Sequence, residues 1–167
     1  MRTVINEMKT FDEQLNFVLS QSYGLVSRME QQKLYQSTRF NLSISELKLL
    51  DAVYRNMSEG AYVGVIAQEL YITPSSVTIA VNRLEKKGFV TRRRSTADAR
   101  QVMIELTEEG ARAARIHRRF HRNLANTIKK DITEEEQKIL IKCIERMNEF
   151  IIGRICKKES HNKKYKK

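Results

Sequence analysis

A set of short polar side chains that can hydrogen-bond to nucleic acid lies within one segment of the chain. Its members are Ser75, Ser76, Thr78 and Asn82. Hydroxyl and amide groups can read the donor and acceptor pattern of the DNA major groove, which differs for every base pair, and can also contact phosphates. The chemistry that these residue types favour is therefore sequence-selective contact with double-stranded DNA.

A helix would present these side chains together, and the surrounding residues predict one, called here the reading helix. Apolar residues that should face a core recur in it at helical spacing: Val77, Val81 and Leu84. Thr73 can cap this helix through its hydroxyl, and Pro74 suits the first helical position, where no N–H is needed. Gly88 should end it in a left-handed conformation.

The flanking residues extend the reading helix into a larger motif. Residues 71–73 form a predicted turn after a first helix, whose apolar side consists of Val65, Ile66, Ala67 and Leu70. After Gly88, residues 89–91 and 102–106 are predicted strands, joined by the basic segment 92–100. The sequence thus predicts a helix-turn-helix followed by a β-hairpin wing.

The wing supplies guanidinium groups for the DNA backbone and the minor groove. Arg92, Arg93 and Arg94 would alternate sides along a strand, so at most two of them can face phosphate together. Arg100 is the first candidate for entry into a narrow A·T-rich minor groove, where the negative potential is strongest. Asp98 either orients Arg100 or shapes the turn. The predicted DNA-contacting residues of the wing are Arg94, Asp98 and Arg100.

Positive charge is concentrated directly after the reading helix. The chain of 167 residues has a formal net charge of +11. Residues 83–130 carry 14 basic and five acidic side chains, a net charge of +9, whereas residues 1–82 carry seven and eight. A basic region at this place favours a nucleic-acid-binding surface. The alternative is a basic protein whose charge only keeps it soluble.

Long helices are predicted on both sides of the winged helix-turn-helix, which spans residues 44–106. Over residues 10–36 a stripe follows helical spacing: Phe11, Leu15, Val18, Ser22, Leu25 and Met29. Over residues 107–156, two helices begin at Thr107 and at a Thr133–Glu136 capping box. The first has Ile116, Phe120, Leu124 and Ile128 on its apolar side, and the second has Leu140, Cys143, Ile144, Met147, Phe150 and Ile151.

Such helices seldom bury both sides within so small a chain, so we expect a homodimer held by residues 10–36 and 107–156. Residues 157–167 contain six lysines and are predicted to be a disordered basic tail. A single domain over residues 1–167 would contain all of these parts.

Other classes of protein fit the sequence poorly. It has no catalytic constellation, phosphate loop or complete metal set, so we expect no enzyme, cofactor or metal. Cys143 and Cys156 form no CxxC pair, and Cys143 is expected to be a buried small hydrophobe. No apolar run is long enough to cross a membrane. Acidic residues within the first twenty positions do not fit a signal peptide, so a cytoplasmic location is expected.

The wing carries the most specific motif. Asp98-x-Arg100, followed by residues 103–107, has the pattern D-x-R-x(5)-L-T. The preceding RLEKKG of residues 83–88 is of the same type. With these motifs the chain resembles MarR-family transcriptional regulators over nearly its whole length. The resemblance implies an obligate dimer of winged helix-turn-helix lobes that binds a palindromic operator.

A narrower resemblance is to FabT-type repressors of fatty-acid synthesis. It rests on Ser45-Glu46, on residues 84–88 and above all on the heptapeptide HRRFHRN at residues 117–123. It implies that a long-chain acyl group on acyl carrier protein acts as the corepressor.

The heptapeptide contains His117 and His121, which share a helix face and could chelate a metal. Zinc-sensing MarR relatives use histidines in this helix and also take ligands from the second helix, where this chain has Leu47 and Lys48. The preferred interpretation is therefore that both histidines line the dimer groove or an acyl pocket.

Arginines on the same predicted helix form one stripe: Arg112, Arg115, Arg119 and Arg122. The stripe is either a solvated face or a docking surface for an acidic partner such as acyl carrier protein. Arg115 and Arg119 are the candidate partner-binding residues.

The sequence therefore predicts a mainly α protein with a small β-wing, in which N- and C-terminal dimerisation helices flank a winged helix-turn-helix lobe. The predicted function is that of a dimeric, sequence-specific repressor that responds to a ligand. Three alternatives remain open: a metal-responsive regulator of the same family, an effector-independent architectural DNA-binding protein, and a helical module whose basic face binds an acidic protein.

Overall fold

A computed structural model describes residues 10–37, 41–94 and 101–164, with the side chains of residues 33–37 and 156–164 left out of the description. Its elements are α1 (Phe11–Ser37), α2 (Ile44–Arg55), α3 (Val63–Glu69), α4 (Pro74–Lys86), β1 (Val90–Arg94), β2 (Val102–Leu106), α5 (Glu108–Lys130) and α6 (Glu134–Lys164). The predicted mainly α class with one small β-hairpin is confirmed. The chain divides into two compact units, Met1–His121 and Arg122–Lys167.

The core of the first unit lies between α2, α3, α4 and the hairpin. Its largest fully buried side chains are Leu49, Leu50, Val53, Ile66, Val77, Val81, Leu84, Val90 and Ile104. The predicted core positions of α4 are thus confirmed, because all three are completely buried. In α3, however, Val65 is 39% exposed although the sequence placed it on the apolar side. Ile66 and Ala67 are the buried residues of this short helix, and Val63 packs against the core while only partly buried.

The helix ends follow local capping chemistry. The Thr73 hydroxyl accepts from the backbone N–H of Ser76, and Pro74 occupies the first turn of α4, as predicted. After Lys87, Gly88 has a φ of +79°, the left-handed conformation expected of it. For α2 the cap is Ser43, which forms a capping box with Glu46.

The hairpin is antiparallel and pairs Val90 with Leu106 and Arg94 with Val102. Tyr62, just before α3, forms a bridge with Met103, and the N–H of Ile104 donates to the carbonyl of Ala61 at 2.8 Å. The structure extends β1 to Arg94, whereas the sequence ended this strand at residue 91. Ladder pairing continues through the three arginines, which lie opposite Ile104, Met103 and Val102.

α5 begins at the predicted cap, since the Thr107 hydroxyl accepts from the N–H of Gly110 and donates to the carbonyl of Gly88. Its buried residues are Gly110, Ala113, Ala114 and His117. The predicted apolar side of Ile116, Phe120, Leu124 and Ile128 is therefore not the packed face. The packed face of α5 consists mainly of small residues because the helix approaches the hairpin closely. A Cβ on Gly110 would lie 1.9 Å from the carbonyl oxygen of Phe89.

In the second unit, α6 begins at the predicted Thr133–Glu136 capping box. Cys143 is exposed, so the prediction that it is buried is wrong. The apolar side of α6 is uncovered within this unit: Ile139, Leu140, Ile144, Phe150 and Ile151 are each at least 40% exposed. The predicted disordered tail is also wrong up to Lys164, because α6 continues to that residue. Lysine and glutamate are good helix formers, and no proline follows Gly153.

α1 is a helix over nearly the predicted range, and it too leaves its apolar stripe exposed: Phe11, Leu15, Val18, Leu25 and Met29. Its one fully buried residue with a described side chain is Glu30. Among the helices that the structure describes, none is long and apolar enough to cross a membrane.

Candidate nucleic-acid interface

The outward face of α4 presents the polar residues singled out from the sequence. Ser75, Ser76, Thr78 and Asn82 are all exposed, whereas the alternating apolar positions are buried. Ser75, Thr78 and Asn82 are spaced three and four residues apart and therefore lie on one side of the helix. The helix thus offers a polar surface about two turns long.

Two of the four side chains already bond to their own helix. The Ser76 hydroxyl lies 2.8 Å from the Thr73 hydroxyl, and the Thr78 hydroxyl donates to the carbonyl of Pro74 at 3.0 Å. The Ser75 hydroxyl has no such bond to any described residue. Ser75 is therefore the hydroxyl of this face that can turn towards a ligand without losing an existing contact.

Asn82 is tied to the wing by Arg92. The Arg92 guanidinium donates from Nη1 to Glu85 Oε2 at 2.6 Å and from Nη2 to Asn82 Oδ1. Asn82 and Glu85 are one turn apart on α4, so one planar guanidinium reaches both acceptors. This bond between the reading helix and the wing was not foreseen from the sequence.

The other strand arginines lie in different settings. Arg93 points to the opposite face of the hairpin, where its Nε is 2.9 Å from Glu105 Oε1. Arg94 shares the side of Arg92 by strand alternation and is exposed, with no ion pair to a described residue. Arg94 is thus the arginine of β1 available to a phosphate. Asp98 and Arg100 lie outside the described residues.

A partly buried ion pair connects α2 to the end of α4. Lys87 Nζ lies 2.8 Å from Glu46 Oε1 and also donates to the carbonyl of Asn41 at 2.8 Å. Burial raises the pKa of Glu46, but the bond from Lys87, the Ser43 N–H and the lysine charge outweigh it, so the pKa lies below its ordinary value. The carboxylate is therefore ionised where it holds the reading helix in place.

A second cluster of ionisable side chains lies where α1 meets the middle of α5. Glu30 Oε1 is 2.8 Å from His121 Nε2 and 3.7 Å from His117 Nε2, and the two ring nitrogens are 3.1 Å apart. Among the residues the structure describes, these three form a group whose ligand atoms could hold a metal ion. The sequence grouped the two histidines but missed Glu30, because no local pattern marks a carboxylate 87 positions earlier.

The surroundings of His117 favour its neutral form. Burial lowers its pKa, and the charge of His121 lowers it further, while the carboxylates of Asp51 and Glu30 act in the opposite direction. His117 Nδ1 and Asp51 Oδ1 are both buried, and neither has a hydrogen-bond partner within the described part of the chain. A neutral imidazole is the form that binds a metal or accepts a proton.

The arginine stripe on α5 faces solvent at the predicted partner residues. Arg115 and Arg119 are exposed, and Arg112 lies 3.8 Å from Glu109. Arg118, between them, instead turns to α2, where its guanidinium stacks on the Tyr54 ring at 4.8 Å and its Nε is 3.7 Å from Asp51 Oδ1. Arg115 and Arg119 thus face solvent, while Arg118 contributes to packing.

Sequence comparisons match the chain to transcriptional regulators. A family model described as transcriptional regulator SarA/Rot matches residues 31–115. The organic hydroperoxide resistance transcriptional regulator of Bacillus subtilis (strain 168) is 32% identical over 111 residues, which cover 66% of this chain and 71% of that protein. The uncharacterized HTH-type transcriptional regulator YwhA of the same organism is 32% identical over 99 residues, 59% of this chain and 70% of its own.

Solved structures with the same fold include a protein bound to DNA. Streptococcus pneumoniae FabT in complex with DNA has a TM-score of 0.74 and 29% identity, and the match covers 84% of this chain and 97% of that one. The transcription regulator MarR from Oenococcus oeni PSU-1 has a TM-score of 0.66 at 21% identity, covering 81% and 98%. At that lower identity the second match shows the shared fold alone.

Proposed function

The chain belongs to the SarA/Rot family of transcriptional regulators, DNA-binding winged helix-turn-helix proteins of the MarR type, and we propose that it acts as a homodimeric repressor. The observation that carries this proposal is the joint exposure of Ser75 on the reading helix and Arg94 on the wing, neither bonded to another described residue. Together they offer a base-reading hydroxyl and a phosphate-binding cation on adjacent elements.

The proposed roles follow from the placement of each residue. Ser75, Ser76, Thr78 and Asn82 on α4 contact bases and nearby phosphates, with Ser75 the freest of the four. Arg94 binds phosphate. Arg100 enters the minor groove with Asp98 beside it, a proposal that rests on the wing motif of the sequence.

Homodimerisation is supported by the exposed apolar residues of α1 and α6. Several large side chains on each helix are more than 40% exposed in the single chain, among them Phe11, Leu25, Phe150 and Ile151. Large apolar side chains exposed along a helix commonly mark an interface with another protein. Two lobes related by a twofold axis would read the two halves of a palindrome.

Selection of binding sites from random duplex DNA, followed by footprinting, tests the proposal. We expect a palindromic motif whose half-sites are one or more helical turns apart, bound by a dimer in native mass spectrometry. Arg94→Ala should weaken binding at least fivefold, whereas Arg112→Ala, which removes the same charge from α5, should not. Recovery of unrelated sequences, or a monomer on the selected DNA, would contradict the proposal.

For the effector, we propose a long-chain acyl group presented by acyl carrier protein. Its support is the 117–123 heptapeptide together with the 29% identity to FabT of Streptococcus pneumoniae over most of both chains. The exposed Arg115 and Arg119 would dock the acidic carrier, and the acyl chain would enter near His117 and His121.

Gel-shift titrations with acylated and unmodified carrier protein test this effector. We expect acylated carrier alone to increase affinity for the operator, as a corepressor does. Arg115→Glu with Arg119→Glu should abolish that response and leave basal binding unchanged, whereas Lys142→Glu on α6 should keep both. A response that survives the double charge reversal would remove the docking role of the stripe.

A metal-responsive regulator is the second candidate, favoured by the convergence of Glu30, His117 and His121. Their ligand atoms are 2.8, 3.1 and 3.7 Å apart. Neighbouring ligands of a tetrahedral zinc ion with bonds of about 2.0–2.1 Å lie about 3.3 Å apart. The observed distances bracket that value, so small movements could bring all three onto one ion, with the fourth position open.

Zinc titration against a chelating indicator distinguishes the two effectors. If the three residues bind a metal, we expect one zinc ion per chain. Glu30→Gln should then lower the affinity for zinc at least about tenfold, whereas Asp12→Asn, at an exposed position of the same helix, should not lower it. Operator binding measured with and without zinc then shows whether occupancy matters. If neither zinc nor acyl carrier changes operator affinity, the effector-independent architectural alternative is favoured.

A further inference from the structure

The bond between Arg92 and Asn82 fixes how the Asn82 amide is turned. A guanidinium carries donors only, so the amide atom that faces it must be the oxygen. The direction of the amide, which is often ambiguous, is therefore determined by chemistry here. Because Oδ1 accepts from Arg92 Nη2, the NH2 group of Asn82 is the part left to contact a ligand.

Glu85 holds Arg92 in the position from which it bonds to Asn82. The Arg92 side chain is only 29% exposed, and its Nη1 lies 2.6 Å from Glu85 Oε2. The carboxylate neutralises the charge of the guanidinium and holds its Nη1 atom in place. Both terminal nitrogens of Arg92 are therefore engaged, Nη1 by Glu85 and Nη2 by Asn82. Arg93 next to it is 61% exposed and faces the other side of the hairpin. Arg92 is thus directed at the reading helix and not at the DNA backbone.

The orientation of the amide determines which bases Asn82 can recognise. An asparagine with both amide atoms free reads adenine with two bonds, accepting from N6 and donating to N7. The oxygen keeps a second lone pair, but it is turned towards Arg92, so the group that Asn82 presents to a base is its NH2 donor. Acceptors in the major groove are guanine N7 and O6, adenine N7 and thymine O4, whereas the exocyclic amine of cytosine is a donor.

We propose that Arg92 is a specificity-determining positioning residue that makes Asn82 a donor-only reader. At the base that Asn82 faces, the protein binds guanine, thymine or adenine and discriminates against cytosine. Adenine is not preferred over guanine or thymine, because Asn82 does not form two hydrogen bonds with it. The inference rests on the proposed DNA-reading function of α4 and adds a base preference to it.

The test is a complete panel of single base-pair substitutions in the selected operator, measured by competition binding. Asn82→Ala identifies the operator position at which preference depends on Asn82. At that position, Arg92→Lys should raise the preference for adenine over guanine and thymine about tenfold, the scale of one bidentate contact. Lysine keeps the positive charge but cannot form the fork, so the salt dependence of binding should stay unchanged.

Arg93→Lys is the matched control because it lies on the opposite face, and its base profile should equal that of the unmodified protein. A uniform loss of affinity in Arg92→Lys, with the same base profile, would assign Arg92 to general packing and overturn the inference. An unchanged profile in Asn82→Ala would overturn it too. If the unmodified protein selects no motif at all, the proposed function itself fails, which is a distinct result.

Equal circular dichroism spectra and melting temperatures of these variants confirm that base profiles are compared between folded proteins. If Arg92→Lys does not fold, Glu85→Gln provides the second route, because it removes the anchoring charge and leaves Arg92 and Asn82 in place. The same shift towards adenine, in a smaller degree, is then expected. No shift in that variant would contradict the anchoring role of Glu85 and the proposal with it.

Discussion

His121 Nε2 lies 2.8 Å from Glu30 Oε1, although 91 positions separate the two residues. The contact joins α1 to α5 within the first unit, and the Glu30 side chain is only 5% exposed there. A carboxylate so deeply buried is tolerated because two imidazole nitrogens face it. The pair thus links α1 to α5, the helix that follows the wing.

Glu30→Ala should lower the free energy of unfolding by about 1–3 kcal/mol, because it leaves His121 without its buried acceptor at 2.8 Å. Urea denaturation in the presence of a chelator measures the effect apart from any metal. Asp12→Ala, at an exposed position of the same helix, should change stability by less than about 0.5 kcal/mol. Equal effects of the two substitutions would show that the buried contact contributes nothing.

Gly110→Ala should destabilise the first unit by about 1–3 kcal/mol, since the new Cβ would meet the Phe89 carbonyl oxygen at 1.9 Å. Thermal unfolding is a suitable measurement. The control is Gly64→Ala in α3, where nothing lies within 4 Å of the added Cβ. Alanine favours a helix over glycine by about 1 kcal/mol, so this control should be neutral or stabilising. A neutral Gly110→Ala would contradict the close packing of α5 on the hairpin.

Thr73→Ala and Ser75→Ala should separate stability from DNA reading. Loss of the Thr73 cap should cost about 1 kcal/mol of stability, because the Ser76 N–H at 3.1 Å loses its acceptor. Ser75→Ala should leave stability unchanged and weaken operator binding. Chemical denaturation and gel shifts on the same samples make the comparison. Unchanged operator affinity in Ser75→Ala would remove that residue from the reading surface.

The Glu46–Lys87 pair should make stability depend on pH in the acid range. The folded-state pKa of Glu46 lies below its ordinary value of 4.5. Its contribution to stability is therefore fully present above that value and is lost as the pH falls through the lower folded-state pKa. The difference in unfolding free energy between the unmodified protein and Glu46→Gln should shrink between about pH 6 and about pH 3. A difference that stays constant would show that ionisation of Glu46 contributes nothing.

Operator binding should weaken steeply with salt, because the two basic lobes of the proposed dimer would displace counterions from DNA. In a plot of log K against log salt concentration, Arg94→Ala should reduce the slope by about 1 for each protomer. Thr78→Ala removes no charge and should leave the slope unchanged. A flat plot for the unmodified protein would contradict the phosphate contacts proposed for the wing.

Local features of the sequence were sufficient for most elements of the lobe. The Thr73 cap, Pro74 at the first turn and left-handed Gly88 mark α4 through interactions within a few residues, and each was predicted correctly. The alternation of Val77, Val81 and Leu84 with polar residues likewise identified the buried face. Such signals are readable because helix periodicity and capping depend on near neighbours alone.

Contacts between distant segments were decided only by the tertiary structure. The sequence by itself determined a winged helix-turn-helix with a polar reading face and two histidines one turn apart. It did not determine that Glu30 would meet those histidines, that Arg92 would reach Asn82, or that α5 would pack through Gly110 and alanines. Cys143 was misplaced for the same reason, because a helix pattern shows which side is apolar but not whether the chain itself covers it. Burial depends on which surfaces the fold brings together, and no spacing within one helix encodes that.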